Sequence, residues 1–211
     1  MKSIFNNMKY CFLFLFASTI GISQNKVEPA DTTFVNLKDY SDSFVYDMKY
    51  ATEDNFLKTA VYECDECYLR YKTVKSLIKA QKAFQALGYN IKIFDCYRPL
   101  DIQKKMFKIV PNPIYVANPA KGSIHNRGCA VDITLVDLQG EELDMGTAFD
   151  FFGKESAHEF KELSQTVLSN RKLLKNIMEQ NGFGAIKSEW WHYNLIQKQR
   201  DSISNFKWNC D

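Results

Sequence analysis

The chain has 211 residues with 45% hydrophobic and 25% charged positions, 9 Gly and 5 Pro, a globular profile that excludes collagen-like, low-complexity and disordered chains. Its 27 Lys+Arg against 25 Asp+Glu leave a net charge of +2, and without a basic run there is no electrostatic footprint for nucleic acid. The length favours one domain with a sizeable core over two small ones.

Residues 1–23 read as a secretory signal peptide. Lys2 and Lys9 form a positive start, Cys11 to Ile22 an apolar stretch, and Gly21 to Ser23 a small-residue cleavage region. The apolar run falls short of the roughly 20 residues that span a bilayer, and Cys11 precedes it, which argues against a lipid anchor. Removal of Lys2 and Lys9 brings the balance to 25 − 25 = 0. The expected mature chain, 24–211, is a single domain, secreted or periplasmic, with no stable membrane insertion. It keeps five cysteines, 64, 67, 96, 129 and 210, in a compartment where disulfides persist. The "CDEC" pair at Cys64 and Cys67 lacks a second pair to complete a zinc site and reads as structural.

A first strand is expected over Phe44 to Tyr50. Val74, Leu77, Ile78 and Phe84 recur at helical spacing, with Gly88 as the C-cap of an amphipathic helix. Tyr89, Ile91 and Ile93 alternate with Asn90, Lys92 and Phe94 in a half-buried strand ending at Tyr97. Pro99 opens a helix from Leu100 to about Val110, and the proline-rich stretch 111–122 is irregular. "CAVDITLVD" is a second clear strand with a turn after it. A helix spans Asn170 to Gln180, closed by Asn181-Gly182, and 183–195 gives a last strand pair. The order lacks regular βαβ alternation, so the fold class is α+β, a mainly antiparallel central sheet with helices on one side.

The chain has three histidines, and two keep unusual company. His125 lies seven residues before Asp132, an odd offset that opposes them on a continuous strand, but Gly128 permits a turn between. Asp132 shares its strand face with Ala130 and Thr134, and a carboxylate in so apolar a strand needs a partner. Glu189 precedes His192 by three residues, so joint use requires a break at Trp190 to Trp191. Two histidines and a carboxylate, His125, Asp132 and His192, form the three-ligand set of a catalytic zinc site with a position left for water. Glu189 would then be the general base. Taken singly, each has a plainer reading: a structural histidine, a turn-capping Asp, core-filling tryptophans. His158 reads as a surface residue or as one supporting the ligands from behind. Arg98 follows a strand end, where a guanidinium can stabilise an oxyanion; on identity alone it reads as a surface salt bridge.

The strings "KYATEDNF" (Lys49 to Phe56), "FDCYRP" (Phe94 to Pro99), "SIHNRGCAVDITLV" (Ser123 to Val136), "MGTAFDFF" (Met145 to Phe152) and "EWWHY" (Glu189 to Tyr193) together resemble the D-alanyl-D-alanine dipeptidases of the VanX type. The resemblance runs in order from about Val35 to Tyr193. It implies the hedgehog/D,D-peptidase fold and one Zn2+ per chain on His125, Asp132 and His192. Glu189 is then the base and Arg98 the transition-state stabiliser. It adds Asp150 and Tyr50 as contacts to the ammonium of a D,D-dipeptide substrate, and Ser123 near its carboxylate. Cys129 stands where Ser or Ala is usual, and Cys96 where the resistance enzymes have Gly. A Cys67–Cys96 disulfide is expected, then Cys64–Cys210, leaving Cys129 a buried thiol. The segment Lys108 to Ala120 is shorter than in the resistance enzymes, which alters the pocket rim. The expected activity is exported hydrolysis of D-Ala-D-Ala, with a carboxypeptidase or endopeptidase on longer wall peptides, or a non-catalytic zinc-containing binding module, as alternatives.

Overall fold

A computed structural model describes residues 27–210; the signal-peptide reading of residues 1–23 lies outside them. The elements in chain order are β1 (Phe34–Asn36), β2 (Val45–Tyr46), β3 (Tyr68–Arg70), α1 (Tyr71–Gln85), β4 (Tyr89–Asp95), α2 (Leu100–Ile109), β5 (Ala130–Asp137), α3 (Gln165–Gln180), β6 (Phe183–Ala185) and β7 (His192–Leu195). Five strands form one sheet in the order β2-β4-β5-β7-β6, antiparallel throughout except for β2 on β4. A small antiparallel pair, β1 on β3, stands beside it. The architecture is α+β.

The apolar stripe of α1 (Val74, Leu77, Ala80, Phe84) shares one buried cluster with Ile91, Ile93, Val131, Ile133, Leu135 and Tyr193 from the strands, and with Leu174, Ile177 and Met178 of α3. Helices α1 and α3 touch each other and pack on β4 and β6, covering one face of the sheet. Gln81 fastens α1 to the sheet: its side chain accepts from Ile91 N at 2.8 Å and donates to Ser43 O at 2.7 Å. Gly88, at φ +83°, lets the chain reverse from α1 into β4.

Three expected boundaries shift. The strand over Phe44 to Tyr50 is reduced to Val45–Tyr46, because the chain leaves the edge through a 3₁₀ turn, Lys49–Ala51, that turns Tyr50 into the interior. Helix α3 begins five residues before Asn170, capped by the Ser164 hydroxyl accepting from Val167 N at 3.2 Å. The helix-like stretch around His158 is only a 3₁₀ turn, Lys154–Ser156.

The C-terminal tail runs back as a strap. Ser204 bonds both Leu100 N and Asn126 O, Phe206 stacks on Phe34 at 5.0 Å, and Trp208 stacks on Tyr68 at 5.1 Å. The sulfurs of Cys64 and Cys210 lie at bonding distance with Cα atoms 5.8 Å apart, and those of Cys67 and Cys96 likewise with Cα atoms 5.4 Å apart. Cys129 is the free, buried cysteine among the described residues.

Candidate active site

Strand register assembles the site on the sheet face opposite the α1–α3 cluster. Asp132 of β5 pairs directly with His192 of β7, so both side chains rise from the same face. On the other side of β5 the register slips. Ile93 faces Ile133, yet Asp95 faces Asp132, so Phe94 is an extra residue in β4. Plain alternation would leave Asp95 on the core face with Ile91 and Ile93. The bulge turns it to the side of Asp132.

His125 reaches the same place from a 3₁₀ turn, His125–Arg127, closed by Gly128 at φ +70°. A side chain on Gly128 would collide with the Phe34 ring and Arg70, so this left-handed position belongs to glycine for two reasons. Asn126 holds the turn by donating to Arg98 O at 2.7 Å and accepting from Ser123 N at 2.6 Å. The Ser123 hydroxyl accepts from His125 N at 3.2 Å.

Among the described residues His125, Asp132 and His192 form a group whose ligand atoms all lie within 4.8 Å of one another. His125 Nε2 is 3.1 Å from His192 Nδ1, which is 2.9 Å from Asp132 Oδ1; His125 Nε2 is 3.4 Å from Asp132 Oδ2. The edges of a tetrahedron with bonds of about 2.0–2.1 Å are about 3.3–3.4 Å, so these separations suit one small ion. The outward nitrogens agree. His125 Nδ1 donates to Cys96 O at 2.7 Å and His192 Nε2 to Asn194 Oδ1 at 2.9 Å. Both partners are acceptors, so each ring carries its proton outward and turns a lone pair toward the shared centre. The residues fit a metal ion. Burial favours the neutral acid at Asp132, but when the imidazoles are protonated the charge and hydrogen bonds of His125 and His192 outweigh it and hold the carboxyl far below its usual range.

Arg98, 7% exposed, is locked in place by Asp95, 0% exposed. Its Nη2 donates to Asp95 Oδ2 at 2.6 Å and its Nη1 to Gln103 Oε1 of α2 at 3.0 Å. Asp95 also accepts from Tyr62 OH at 2.7 Å and lies 3.5 Å from His125 Nδ1. The guanidinium sits 5.1 Å from the centre of the Tyr50 ring, and Tyr50 OH donates to Asp150 Oδ2 at 2.9 Å. Asp150 holds a left-handed φ of +58°. Burial first, then the Asp132 charge, raise its pKa well above the carboxylate range.

Glu189 lies outside β7, where the chain bends at Trp190 and Trp191 before His192 begins the strand. The break expected from the odd offset is therefore present. Burial raises the Glu189 pKa; the charges of His192, Asp132, His125 and Arg98 also bear on it. Trp190 donates from Nε1 to Thr147 Oγ1 at 2.8 Å, and Trp191 packs edge-on against Phe149 at 5.5 Å. His158 is not part of this constellation; its ring lies 6.2 Å from that of Tyr193, whose side chain belongs to the opposite face. Sequence reasoning passed over Asp95, Gln103, Tyr62, Asn126 and Asn194. None has a motif of its own, although Asp95 stands inside the "FDCYRP" string and Asn126 inside "SIHNRGCAVDITLV".

A model of the D-Ala-D-Ala dipeptidase family matches residues 30–209. The D-alanyl-D-alanine dipeptidase of Escherichia coli K12 is 37% identical over 182 residues, covering 86% of this chain and 94% of that one. Those of Enterococcus faecium and Enterococcus faecalis are 35% and 33% identical, covering 71% and 76% of this chain and 85% and 91% of theirs. Among solved structures, a vancomycin-resistance D,D-pentapeptidase mutant in complex with Zn(II) aligns at a TM-score of 0.41 and 16% identity, over 62% of this chain and 74% of that one. The protein is a peptidase whose candidate centre is built on two histidines and an aspartate. It belongs to the D-Ala-D-Ala dipeptidase family.

Proposed function

We propose that this chain is an exported, zinc-dependent dipeptidase that hydrolyses D-Ala-D-Ala or closely related dipeptides derived from the cell wall. One observation carries the reading. The donor atoms of His125, Asp132 and His192 converge within 4.8 Å, and the groups flanking them, Glu189, Arg98 and the Tyr50–Asp150 pair, are those that peptide hydrolysis requires.

His125 Nε2, Asp132 and His192 Nδ1 would hold a zinc ion, whose chemistry there would be to lower the pKa of a water and to polarise the scissile carbonyl. Glu189 accepts the proton of the attacking water and returns it to the departing amine; its raised pKa suits both halves of that task. Arg98, held still by Asp95 and Gln103, meets the negative charge that develops on the carbonyl oxygen. Asp150, with Tyr50 beside it, takes the substrate ammonium, and Ser123 lies near the substrate carboxylate. Burial and the Asp132 charge raise the Asp150 pKa, so its ionised form calls for a cation beside it. A free ammonium provides that cation. The internal amide of a longer peptide does not, so such a substrate leaves the group unpaired.

The export reading draws on the N-terminal leader and on the two close sulfur pairs, which form disulfides in an oxidising compartment. Outside the cytoplasm the fitting role is turnover or salvage of wall fragments. The test is zinc content and hydrolysis on one purified sample offered D-Ala-D-Ala, L-Ala-L-Ala and a pentapeptide ending in D-Ala-D-Ala. About one zinc per chain with cleavage confined to the D,D-dipeptide is expected. Cleavage of the pentapeptide would move the protein to the carboxypeptidases, and zinc without hydrolysis to the binding modules.

A further inference from the structure

The segment that carries Asp150 is fastened from helix α3. Arg171 of α3 is 3% exposed; its Nε donates to Met145 O at 2.7 Å, and its Nη1 to Glu155 O at 2.9 Å and Ala157 O at 3.2 Å. Met145 is where the chain leaves for Asp150, and Glu155 and Ala157 are where it returns. One guanidinium therefore closes the neck of a loop with Asp150 near its middle. The neighbouring Asn170 adds a bond to Asp144 O at 2.9 Å. Gly146, at φ +81°, lets the loop lie directly on α3: a Cβ there would stand 2.8 Å from Val167.

Among the described residues no carboxylate forms an ion pair with Arg171; its guanidinium is hydrogen-bonded to carbonyl oxygens alone, with the Asp144 charge acting on it without contact. Burying a guanidinium without a counter-ion is costly, so its presence needs an explanation in what it holds. The loop supplies one. Asp150 adopts a positive φ, a conformation that persists in a non-glycine residue only where the surroundings over-determine it. Other restraints act on parts of the loop: Ser156 Oγ donates to Phe151 O at 2.5 Å within it, Trp190 Nε1 to Thr147 Oγ1 at 2.8 Å from the bend before β7, and Tyr50 OH to Asp150 Oδ2 at 2.9 Å from the 3₁₀ turn Lys49–Ala51. Arg171 joins the two ends.

We propose that Arg171 is the positioning residue for Asp150, and that discrimination between free and N-blocked dipeptides is set from α3. The inference rests on the reading of Asp150 as the ammonium anchor. The test compares wild type, Arg171→Gln, Arg171→Lys and Asp150→Ala on D-Ala-D-Ala and N-acetyl-D-Ala-D-Ala, with zinc content and circular dichroism on each. A displacement near 1 Å in a binding group costs on the order of 10- to 100-fold. The Arg171 variants are expected to lose that factor in kcat/KM on the free dipeptide, mainly through KM, with the acetylated substrate and zinc unchanged. Should Arg171→Gln fail to fold, Arg171→Lys, which keeps the charge and loses the fork, is decisive. A parallel fall on both substrates, or an unchanged ratio beside a collapsed ratio in Asp150→Ala, overturns this inference alone. An unchanged ratio in Asp150→Ala overturns the anchor and this inference with it.

Discussion

Asp95→Asn tests how the site is held together, because it changes one fully buried charge and no volume. Asp95 is 0% exposed, and its two oxygens take the Tyr62 hydroxyl at 2.7 Å and Arg98 Nη2 at 2.6 Å. The amide can still accept once, but it leaves Arg98 buried with Gln103 as its remaining side-chain acceptor. Removing one partner of a buried pair costs about 3–5 kcal/mol, and the retained acceptor places this case at about 3. For a domain of this size each kcal/mol moves Tm by about 2–4 °C, so a fall of roughly 6–12 °C is expected by calorimetry. The freed guanidinium no longer meets the developing oxyanion, and kcat falls on the order of 100-fold. Zinc content is unchanged, because Asp95 is outside the ligand set. In an Arg98→Met background the same substitution should cost about 2 kcal/mol less, since no charge is left to strand. Wild-type Tm and kcat in Asp95→Asn, or equal costs in the two backgrounds, would refute the role of the pair.

Glu189→Gln should retain zinc while kcat drops about 10²–10⁴-fold; loss of metal in that variant would mean that Glu189 is a ligand. The denatured, unreduced mature chain should titrate one thiol, Cys129, which the folded protein buries. Three or more thiols would remove a disulfide from the proposal. Replacing Cys64 and Cys210 by Ser should cost about 2–5 kcal/mol, read as a lower Tm, because the bridge spans 146 residues. His158 is held neutral: burial lowers its pKa to about 4 from 6.5. Between those values the unfolded chain binds the extra proton, so the stability is present above pH 6.5 and is lost as pH falls toward 4. His158→Gln should flatten the decline of Tm over that window; an identical pH profile would refute it.

The long periodic elements were legible in the sequence because a single face decides them. The stripe Val74, Leu77, Phe84 defines α1, and the alternations through Ile91 and Ile133 define β4 and β5. The start of α3 was lost because Thr166, Ser169 and Asn170 dilute its apolar period, although Ser164 three residues before Val167 was a capping cue. In the site, the residues that bear chemistry were legible and the residues that hold them were not. Asp95 shows why. Its parity with Ile91 and Ile93 assigns it to the core face, and only the extra residue at Phe94, fixed by pairing with β5, reverses that assignment. Gln103 and Asn194 become meaningful only when α2 and β7 bring their side-chain oxygens to Arg98 and His192.

The charges at the site explain why these parts belong together. Asp95 is matched by Arg98. When ionised, Asp132, Glu189 and Asp150 leave −3, and among the described residues no further cationic side chain is paired to them, apart from imidazoles whose lone pairs point inward. Such a set is unstable alone: burial, and after it the Asp132 charge, push the Asp150 carboxyl up, and burial with a smaller contribution from Asp132 does the same to Glu189. On the proposed reading, a divalent ion at the His125–Asp132–His192 face and one substrate ammonium at Asp150 would sum to +3. On that reading, the same surplus of carboxylate favours a metal at one end and a free amino terminus at the other.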